Sequence, residues 1–254
     1  MAIFKSLISA LSTYSKIPMP NIEYKENEGR FTMCFFPLVG LIIFGLEALL
    51  IYLGNMFKIS DLSLAIGFVI VPTLVTGGIH IDGFMDVCDA LSSYRDKEKR
   101  LEILDDPHVG AFSIIKLLII IGIWILAVLE MKREYLLIGG LGFIFARILS
   151  AFSVLVFKAS KTKGMIVYVK NHASGICKYI LLCEVMLTTV ICILSYNLMI
   201  LIPVAISFIG LLIYQHRVNI EFGGISGDTS GYFLVMTESI WMLVIMILSK
   251  ISMI

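Results

Sequence analysis

Long apolar runs, separated by shorter polar segments, are the dominant pattern along this chain. Seven runs are long enough to cross about 30 Å of hydrocarbon as helices, and they cover 33–53, 62–79, 111–130, 135–157, 178–197, 198–214 and 231–249. The fifth and sixth runs form one tract, which we divide at Ser195, Tyr196 and Asn197 because these residues suit a tight turn. The pattern predicts an all-α, polytopic integral membrane bundle of about seven transmembrane helices, forming a single domain over residues 1–254.

The N-terminal segment has a different pattern. Apolar residues recur at the i, i+3, i+4, i+7 spacing of one helix face, at Phe4, Leu7, Ile8 and Leu11, and serines such as Ser6 fall among the other positions. The segment is too short and too polar to span a bilayer, and it has no small-residue cleavage site of the kind that ends a signal peptide. We predict an interfacial helix that lies along the membrane.

Composition supports the membrane assignment. Hydrophobic residues make up 59% of the chain and charged residues 15%, whereas soluble domains average about 25% charged residues. This excludes a soluble globular enzyme, a disordered chain and a secreted disulfide scaffold. The five cysteines form no CxxC pair, so we predict buried, reduced thiols without a zinc site or a redox pair.

The distribution of basic residues predicts the orientation. With the N-terminus inside, the inner segments hold 13 lysines and arginines and the outer segments hold four, a bias that the positive-inside rule assigns to the cytoplasmic face. Three polar segments, 80–110, 158–177 and 215–230, then lie together on that face.

The first of these segments contains three regularly spaced carboxylates. Asp82, Asp86 and Asp89 follow the i, i+4, i+7 spacing, so a helix would place all three on one face. Like charges that lie close together raise one another's pKa, and no lysine or arginine lies between His80 and Tyr94 to compensate them. The alternative is a solvated helix face, but the spacing favours a divalent cation bound through oxygen.

Charged residues further along the same segment extend this hypothesis. Asp105 or Asp106 is a candidate for a fourth carboxylate ligand, and Arg95 or Arg100 is a candidate for binding phosphate. The alternating signs of charge around them are equally typical of an ordinary exposed helix.

The third segment begins with a glycine-rich turn, 223–231. Four glycines in nine residues allow backbone amides to face a phosphate, which makes Gly227 a candidate, and Asp228 and Thr229 are candidates for capping the helix that follows. Lys158 and Lys161 belong to a basic loop for which binding of anionic lipid and binding of a nucleotide phosphate are both open interpretations.

Four ionisable residues fall inside the predicted spans: Glu47, Arg147, Glu184 and Glu238. Each is costly in hydrocarbon, so we expect each to face the bundle interior or to be paired. We favour Glu184 as the partner of Arg147.

Taken together, the motifs resemble the cobalamin synthase family, the adenosylcobinamide-GDP ribazoletransferases. The most specific is the GG-x-H-x-DG-x-x-D-x-x-D block, and the matching stretches are 15–20, 36–40, 76–89, 100–110 and 223–229. The chain departs from the family pattern at Ala90, where glycine is usual, and at 106–108, where Asp-Pro-His replaces Asp-Ser-Arg. It departs again at 230–232, where Ser-Gly-Tyr replaces Leu-Gly-Ala. The loss of the arginine puts one phosphate contact in doubt.

The resemblance implies the last step in assembly of the vitamin B12 coenzyme, in the inner membrane of a prokaryote. A ribose hydroxyl of α-ribazole, or of its 5′-phosphate, attacks the phosphoryl group joined to cobinamide in adenosylcobinamide-GDP, and GMP leaves. The implied cofactor is Mg²⁺, and the partners are these substrates and the lipid bilayer, with no nucleic acid.

We assign roles to the candidate residues on this basis. Asp89 is the predicted base, because it is the carboxylate farthest along the chain from the membrane span; Asp86 and, more weakly, His80 are the other catalytic candidates. The predicted metal ligands are Asp82, Asp86, Asp89, Asp105 and Asp228. The predicted phosphate-binding residues are Arg95, Arg100, Gly227, Asp228, Thr229, Lys158 and Lys161.

Two alternatives compete with this prediction. A CDP-alcohol phosphatidyltransferase-like lipid enzyme would use similar chemistry, but no Ala-Arg pair follows Asp82 and Gly83 as that pattern requires. An ion-coupled transporter would concentrate its functional charges at mid-membrane, whereas the acidic cluster here lies at one predicted edge.

Overall fold

The computed structural model describes residues 2–21 and 29–251, and helices dominate this part of the chain. The helices are α1 (Ala2–Tyr14), α2 (Thr32–Met56), α3 (Asp61–Thr76), α4 (Ile79–Ser92), α5 (Lys97–Leu104), α6 (Ala111–Glu130), α7 (Arg133–Gly140), α8 (Gly142–Val156), α9 (Met165–His172), α10 (Cys177–Ser195), α11 (Leu201–Glu221) and α12 (Gly227–Lys250). A short 3-10 turn, Leu198–Ile200, precedes α11. Within the described residues, the only β-type pairing is a bridge between Ala159 and Ile225.

Six helical segments are long and apolar enough to cross a membrane: α2, α6, α7 with α8, α10, the 3-10 turn with α11, and α12. A seventh is counted if α3 and α4, which meet at a bend of 99°, form one broken span. The predicted polytopic helical bundle is therefore confirmed. Gly77 and Gly78 form the bend with φ of 66° and 80°, a backbone region that glycine adopts at little cost. We treat α4 as lying outside the spanning segments, because its 14 residues rise only about 21 Å.

The predicted division of the long apolar tract is also confirmed. Helix α10 ends at Ser195, and the side chain of Asn197 accepts a hydrogen bond from the backbone N–H of Met199 at 2.7 Å, which starts the next segment. The predicted span 135–157 corresponds to two helices, α7 and α8, which are separated at Leu141.

The N-terminal segment is helical, as predicted, but its packing differs from the predicted pattern. Ser6 is fully buried, and its hydroxyl accepts a hydrogen bond from the N–H of Phe31 at 3.1 Å. Ile3 and Phe4, by contrast, are exposed. The face packed against α2 contains Ile8 and Leu11 of the predicted apolar period, but it also takes in Ser6 and leaves Phe4 exposed. The location of α1 at the membrane interface stays a prediction.

Helix α12 is the centre of the bundle, where it packs against α4, α6, α7, α8 and α11. Close packing of α12 on the α7–α8 segment uses a small residue, since a methyl group at Gly142 would lie 2.8 Å from the ring of Trp241. The indole N–H of Trp241 donates to the carbonyl of Ile138 at 2.9 Å. Small residues at such contacts are typical of membrane bundles.

The buried ion pair of the bundle is different from the one that we predicted. Arg147 on α8 donates to Glu238 on α12 at 2.6 Å, and both side chains are almost completely buried. Glu184, the predicted partner, instead lines a groove beside α2 and α8. Sequence spacing does not show which helix faces Arg147. Helix α12 packs against α8, and this packing brings Glu238 to Arg147. Four of the five cysteines are buried, Cys183 is exposed, and all five are free thiols.

Candidate active site

The predicted carboxylate face exists on α4, which is helical from Ile79 to Ser92. Asp82 is exposed, and Asp86 and Asp89 are half-buried. The opposite side of the helix is apolar and buried, and it packs against α12 and α6. This amphipathic arrangement fixes α4 against the bundle and directs its acidic face away from the core.

A glycine contact brings a fourth carboxylate to this face. A methyl group at Gly83 would lie 2.8 Å from the Cα atom of Asp228, and one at Gly231 would lie 3.1 Å from the carbonyl oxygen of His80. The first turn of α12 therefore approaches the backbone of α4 more closely than any larger residue permits. Asp228 lies beside the α4 aspartates for this reason.

The four carboxylates affect one another electrostatically. Partial burial, followed by the charges of Asp82, Asp228 and Asp89 in that order, raises the pKa of Asp86 to about 6. Within residues 2–21 and 29–251, none of the three α4 aspartates forms an ion pair. The three α4 aspartates thus carry negative charge with no paired cation, as expected for residues that meet a cation from outside the chain, whereas Asp228 feels the charge of Lys161.

The chemistry of these donors fits a hard divalent cation such as Mg²⁺, because every candidate ligand is a carboxylate oxygen. Their positions do not form a closed coordination shell. Among the described residues, no group of three or more His, Cys, Asp or Glu side chains converges closely enough to hold a metal ion.

Ser226 and Thr229 together cap helix α12, which confirms the predicted capping role of Thr229 and corrects that of Asp228. The hydroxyl of Ser226 accepts from the N–H of Thr229 at 3.1 Å, and the hydroxyl of Thr229 accepts from the N–H of Ser226 at 2.8 Å. Thr229 is fully buried and also accepts from the hydroxyl of Tyr214 at 3.2 Å. These bonds occupy the side chain that we predicted to contact phosphate. A serine three residues before a threonine resembles the capping-box pattern and was a usable signal.

The glycine-rich turn is joined to the loop that follows α8. The N–H of Ile225 donates to the carbonyl of Lys158 at 2.8 Å, and the N–H of Ser160 donates to the carbonyl of Ile225 at 2.9 Å. Gly224, with φ of 147°, lies directly against Lys158 and Ala159. The backbone of Lys158 therefore has a structural role, and its side chain is exposed.

A cavity of about 160 Å³, which we call the turn cavity, lies where this loop meets the turn. Its lining includes Lys161, Lys163, Gly227 and Asp228. A methyl group at Gly227 would meet no atom within 4 Å, so this glycine borders open space. The turn cavity combines two lysines with a glycine backbone, groups that suit a phosphate, and it borders the carboxylate of Asp228.

Of three further candidates, two are paired with other side chains. Asp105 accepts from Lys161 at 2.6 and 2.7 Å, and it is not among the charges that raise the pKa of Asp86. Arg100 forms an ion pair with Glu221. Glu221 was not among the residues that we singled out from the sequence. Arg95 is exposed in the loop between α4 and α5.

His80 lies on the interior side of α4. Its ring packs edge-on against Phe36 with 5.6 Å between centroids, and it lines a cavity of about 30 Å³ together with Arg147 and Glu238. Its Nε2 atom is buried and has no hydrogen-bond partner among the described residues. The structure thus places His80 with the buried ion pair, whereas Asp89 lies against Gly110 at the start of α6.

These features define a class: a polytopic membrane protein in which a carboxylate cluster and a basic, glycine-lined cavity lie at one end of a helical bundle. Such an arrangement suits transfer of a phosphoryl group. A family model described as cobalamin-5-phosphate synthase matches residues 6–247. The chain belongs to this family.

Individual relatives agree with the family match. The chain is 35% identical over 247 residues to a protein of Lachnoclostridium phytofermentans named adenosylcobinamide-GDP ribazoletransferase, covering 94% of this chain and 92% of the relative. Proteins with the same name are similar in Clostridium botulinum strain Alaska E43, at 34% identity with 93% and 94% coverage, and in Halalkalibacterium halodurans, at 32% with 89% and 88%. No solved structure matches the chain.

Proposed function

We propose that this protein is an adenosylcobinamide-GDP ribazoletransferase, which completes the nucleotide loop of adenosylcobalamin or its 5′-phosphate and releases GMP. The observation that carries the proposal is the approach of Asp228 on α12 to the three aspartates of α4, through the contact at Gly83. The family match over nearly the whole chain and the names of the relatives support it. The family match also counts against both alternatives, a lipid phosphatidyltransferase and an ion-coupled transporter.

Mg²⁺ is the proposed cofactor, and Asp82, Asp86 and Asp228 are its proposed ligands. These are the carboxylates whose charges act most strongly on one another. When bound, the ion would neutralise negative charge on the diphosphate of the substrate. Asp105 is a weaker candidate than the sequence indicated, because Lys161 already holds its carboxylate.

The residues around the cluster perform the remaining steps of the proposed reaction. The acceptor is α-ribazole or its 5′-phosphate, and its ribose oxygen forms a new bond to the phosphorus atom joined to cobinamide, while the bond from that phosphorus to GMP breaks. Asp89 takes the proton of the attacking hydroxyl. Lys161 exchanges its bond to Asp105 for the phosphate of the departing GMP, which also meets the backbone at Gly227 in the turn cavity.

The protein is a multi-pass membrane protein, and we place its active site on the cytoplasmic side. The excess of lysine and arginine in the predicted inner segments supports this orientation. Helix α5 with Asp105 after it, the loop before α9, and the end of α11 with the turn before α12 are joined by the Lys161–Asp105 and Arg100–Glu221 ion pairs and by the Ala159–Ile225 bridge. They therefore share one end of the bundle, where soluble substrates can reach them.

Incubation of the purified protein in lipid vesicles with adenosylcobinamide-GDP and α-ribazole tests the proposal. GMP and a cobalamin product are expected in equal amounts, only when Mg²⁺ is present, and a chelator should stop the reaction reversibly. Replacing α-ribazole by its 5′-phosphate in a parallel reaction identifies the preferred acceptor. Failure to form GMP from the wild-type protein in both reactions would contradict the proposal.

A further inference from the structure

A second cavity at the same end of the bundle has no role in the function proposed so far. It has a volume of about 180 Å³ and lies between α1, the start of α2 and α9. Polar and aromatic side chains contribute to its lining: Ser9, Thr13, Arg30, Thr32, Tyr168 and His172. We call it the α9 cavity.

Helix α9 presents one face to this cavity. Met165, Tyr168, Val169 and His172 have the i, i+3, i+4, i+7 spacing of a single helix face, and all four line the cavity. The rings of Tyr168 and His172 stack with 4.2 Å between centroids, yet 60% of Tyr168 is exposed. None of the residues of α9 is buried, so the aromatic pair does not belong to the hydrophobic core.

The position of Arg30 is fixed by its backbone. Its carbonyl accepts from the N–H of Ser174 at 2.9 Å and from the thiol of Cys177 at 3.3 Å. Its guanidinium lies over the ring of Phe31, 5.0 Å from the centroid, and it forms no ion pair within the described residues. Arg30 therefore contributes an exposed cationic side chain to the lining of the cavity, with the planar fork that recognises paired acceptors.

The α9 cavity is next to the turn cavity, because Met165 lines both. A helix rises 1.5 Å per residue, which places Tyr168 about 4.5 Å and His172 about 10 Å beyond Met165 along the axis. A nucleotide whose phosphate lies in the turn cavity would extend its ribose, and then its base, past Met165 toward this aromatic pair.

We propose that the α9 cavity binds the guanine base of the nucleotide substrate. This inference rests on the proposed function, which supplies a guanosine diphosphate group. A guanidinium donates to both O6 and N7 of guanine, the pairing most often seen for arginine with this base, and exposed aromatic rings stack on bases of any kind. Arg30 then selects guanine, and Tyr168 with His172 supplies stacking that does not depend on the base.

Equilibrium binding of GMP and AMP to the purified protein tests the inference without any turnover. The wild-type protein should bind GMP more tightly than AMP, because adenine presents an amino group where guanine presents O6. Arg30→Ala should weaken GMP binding roughly 10- to 100-fold and leave AMP binding nearly unchanged. Tyr168→Ala should weaken both nucleotides to a similar extent, and Tyr168→Phe should retain both.

Lys178→Ala is the matched control, because Lys178 is also a cation over a neighbouring ring, 5.0 Å from that of Tyr179, and does not line the α9 cavity. It should bind both nucleotides as the wild type does. If Arg30→Ala and Tyr168→Ala bind GMP normally while the wild type still prefers GMP, the guanine site is elsewhere and the proposed function stands. If the wild type shows neither a preference for GMP nor release of GMP in the vesicle reaction, the proposed function itself fails, and this inference fails with it.

Discussion

Asp86 occupies the middle of the acidic face, where partial burial and, after it, the charges of three other carboxylates disfavour its ionised form. Its pKa is raised from 3.8 to about 6 in the folded protein. A carboxyl group with a raised pKa binds its proton more tightly when folded, so its contribution favours the folded state at low pH and declines as the pH rises to about 6.

Asp86→Asn should therefore abolish activity without harming the fold. We expect turnover to fall by at least about 100-fold, which corresponds to about 2.7 kcal/mol of transition-state stabilisation. The unfolding temperature at pH 7.5 should stay the same or rise, because a repelling charge is removed. Asp82→Asn and Asp89→Asn should also be inactive and folded, whereas Asp105→Asn should lose less. Near-normal Mg²⁺-dependent turnover in two of the three α4 variants would place the metal site elsewhere.

Asp89 and Gly227 should differ in the step that they affect. Asp89→Asn should lower the rate while adenosylcobinamide-GDP still binds, since a base acts after binding. Gly227→Val should weaken binding of that substrate, because its side chain would project into the turn cavity, where no protein atom opposes it. Equilibrium binding measured alongside turnover separates the two. Loss of binding in Asp89→Asn together with normal binding in Gly227→Val would reverse the two roles.

At the level of elements, the contact of α4 with α12 at Gly83 sets the position of Asp228 beside the α4 aspartates. Gly83→Ala places a methyl group 2.8 Å from the backbone of Asp228, and backbone cannot move aside as a flexible side chain can. We expect the free energy of unfolding to fall by about 1–3 kcal/mol. The protein that remains folded should also turn over more slowly, because Asp228 is displaced. Thermal unfolding and Mg²⁺ titration of turnover measure the two effects.

Gly122→Ala on α6 is the control for this change, because a methyl group there meets nothing within 4 Å and alanine is a better helix former than glycine. It should retain both stability and activity. A Gly83→Ala protein with unaltered Mg²⁺ dependence would show that the position of Asp228 does not matter for the metal.

The same contact shows where prediction from sequence ends at the level of elements. The spacing of Asp82, Asp86 and Asp89 was sufficient to predict one helical face, because a helix has a fixed period. The approach of Asp228 depends on the packing of α4 on α12, which no local period encodes. Lys161 and Asp105 were assigned separately to phosphate and to metal, and only the structure shows that they bind each other.

For the whole molecule, topology is the property that the mechanism needs most. Single cysteines introduced at 90–105, 160–172 and 217–228 into a variant without its native cysteines should react with an impermeant thiol reagent only from the cytoplasmic side. Positions in the loop 57–60 are the control and should react only from outside. Labelling of 90–105 or 160–172 from outside would contradict the proposal, because the proposed site requires these segments on the same side of the membrane.

Membrane-scale features were the most predictable, because hydrocarbon thickness sets the length of each apolar run. The division at Ser195 and Asn197 followed from polarity alone and is confirmed. The partner of Arg147 was predicted wrongly, since several glutamates satisfied the same requirement for a buried counter-charge. The sharp bend at Gly77 and Gly78 was also missed, although the adjacent glycines were its signal.

The position of Asp228 on α12 also has a consequence for biogenesis. A ribosome synthesises α4 long before α12, so the three aspartates of α4 lack their fourth member while the intervening helices are made. The proposed metal site can form only after the α12 segment has been inserted and has packed against Gly83. A chain that stalls before α12 would lack the complete metal site. Only molecules in which α12 has been inserted would then catalyse phosphoryl transfer.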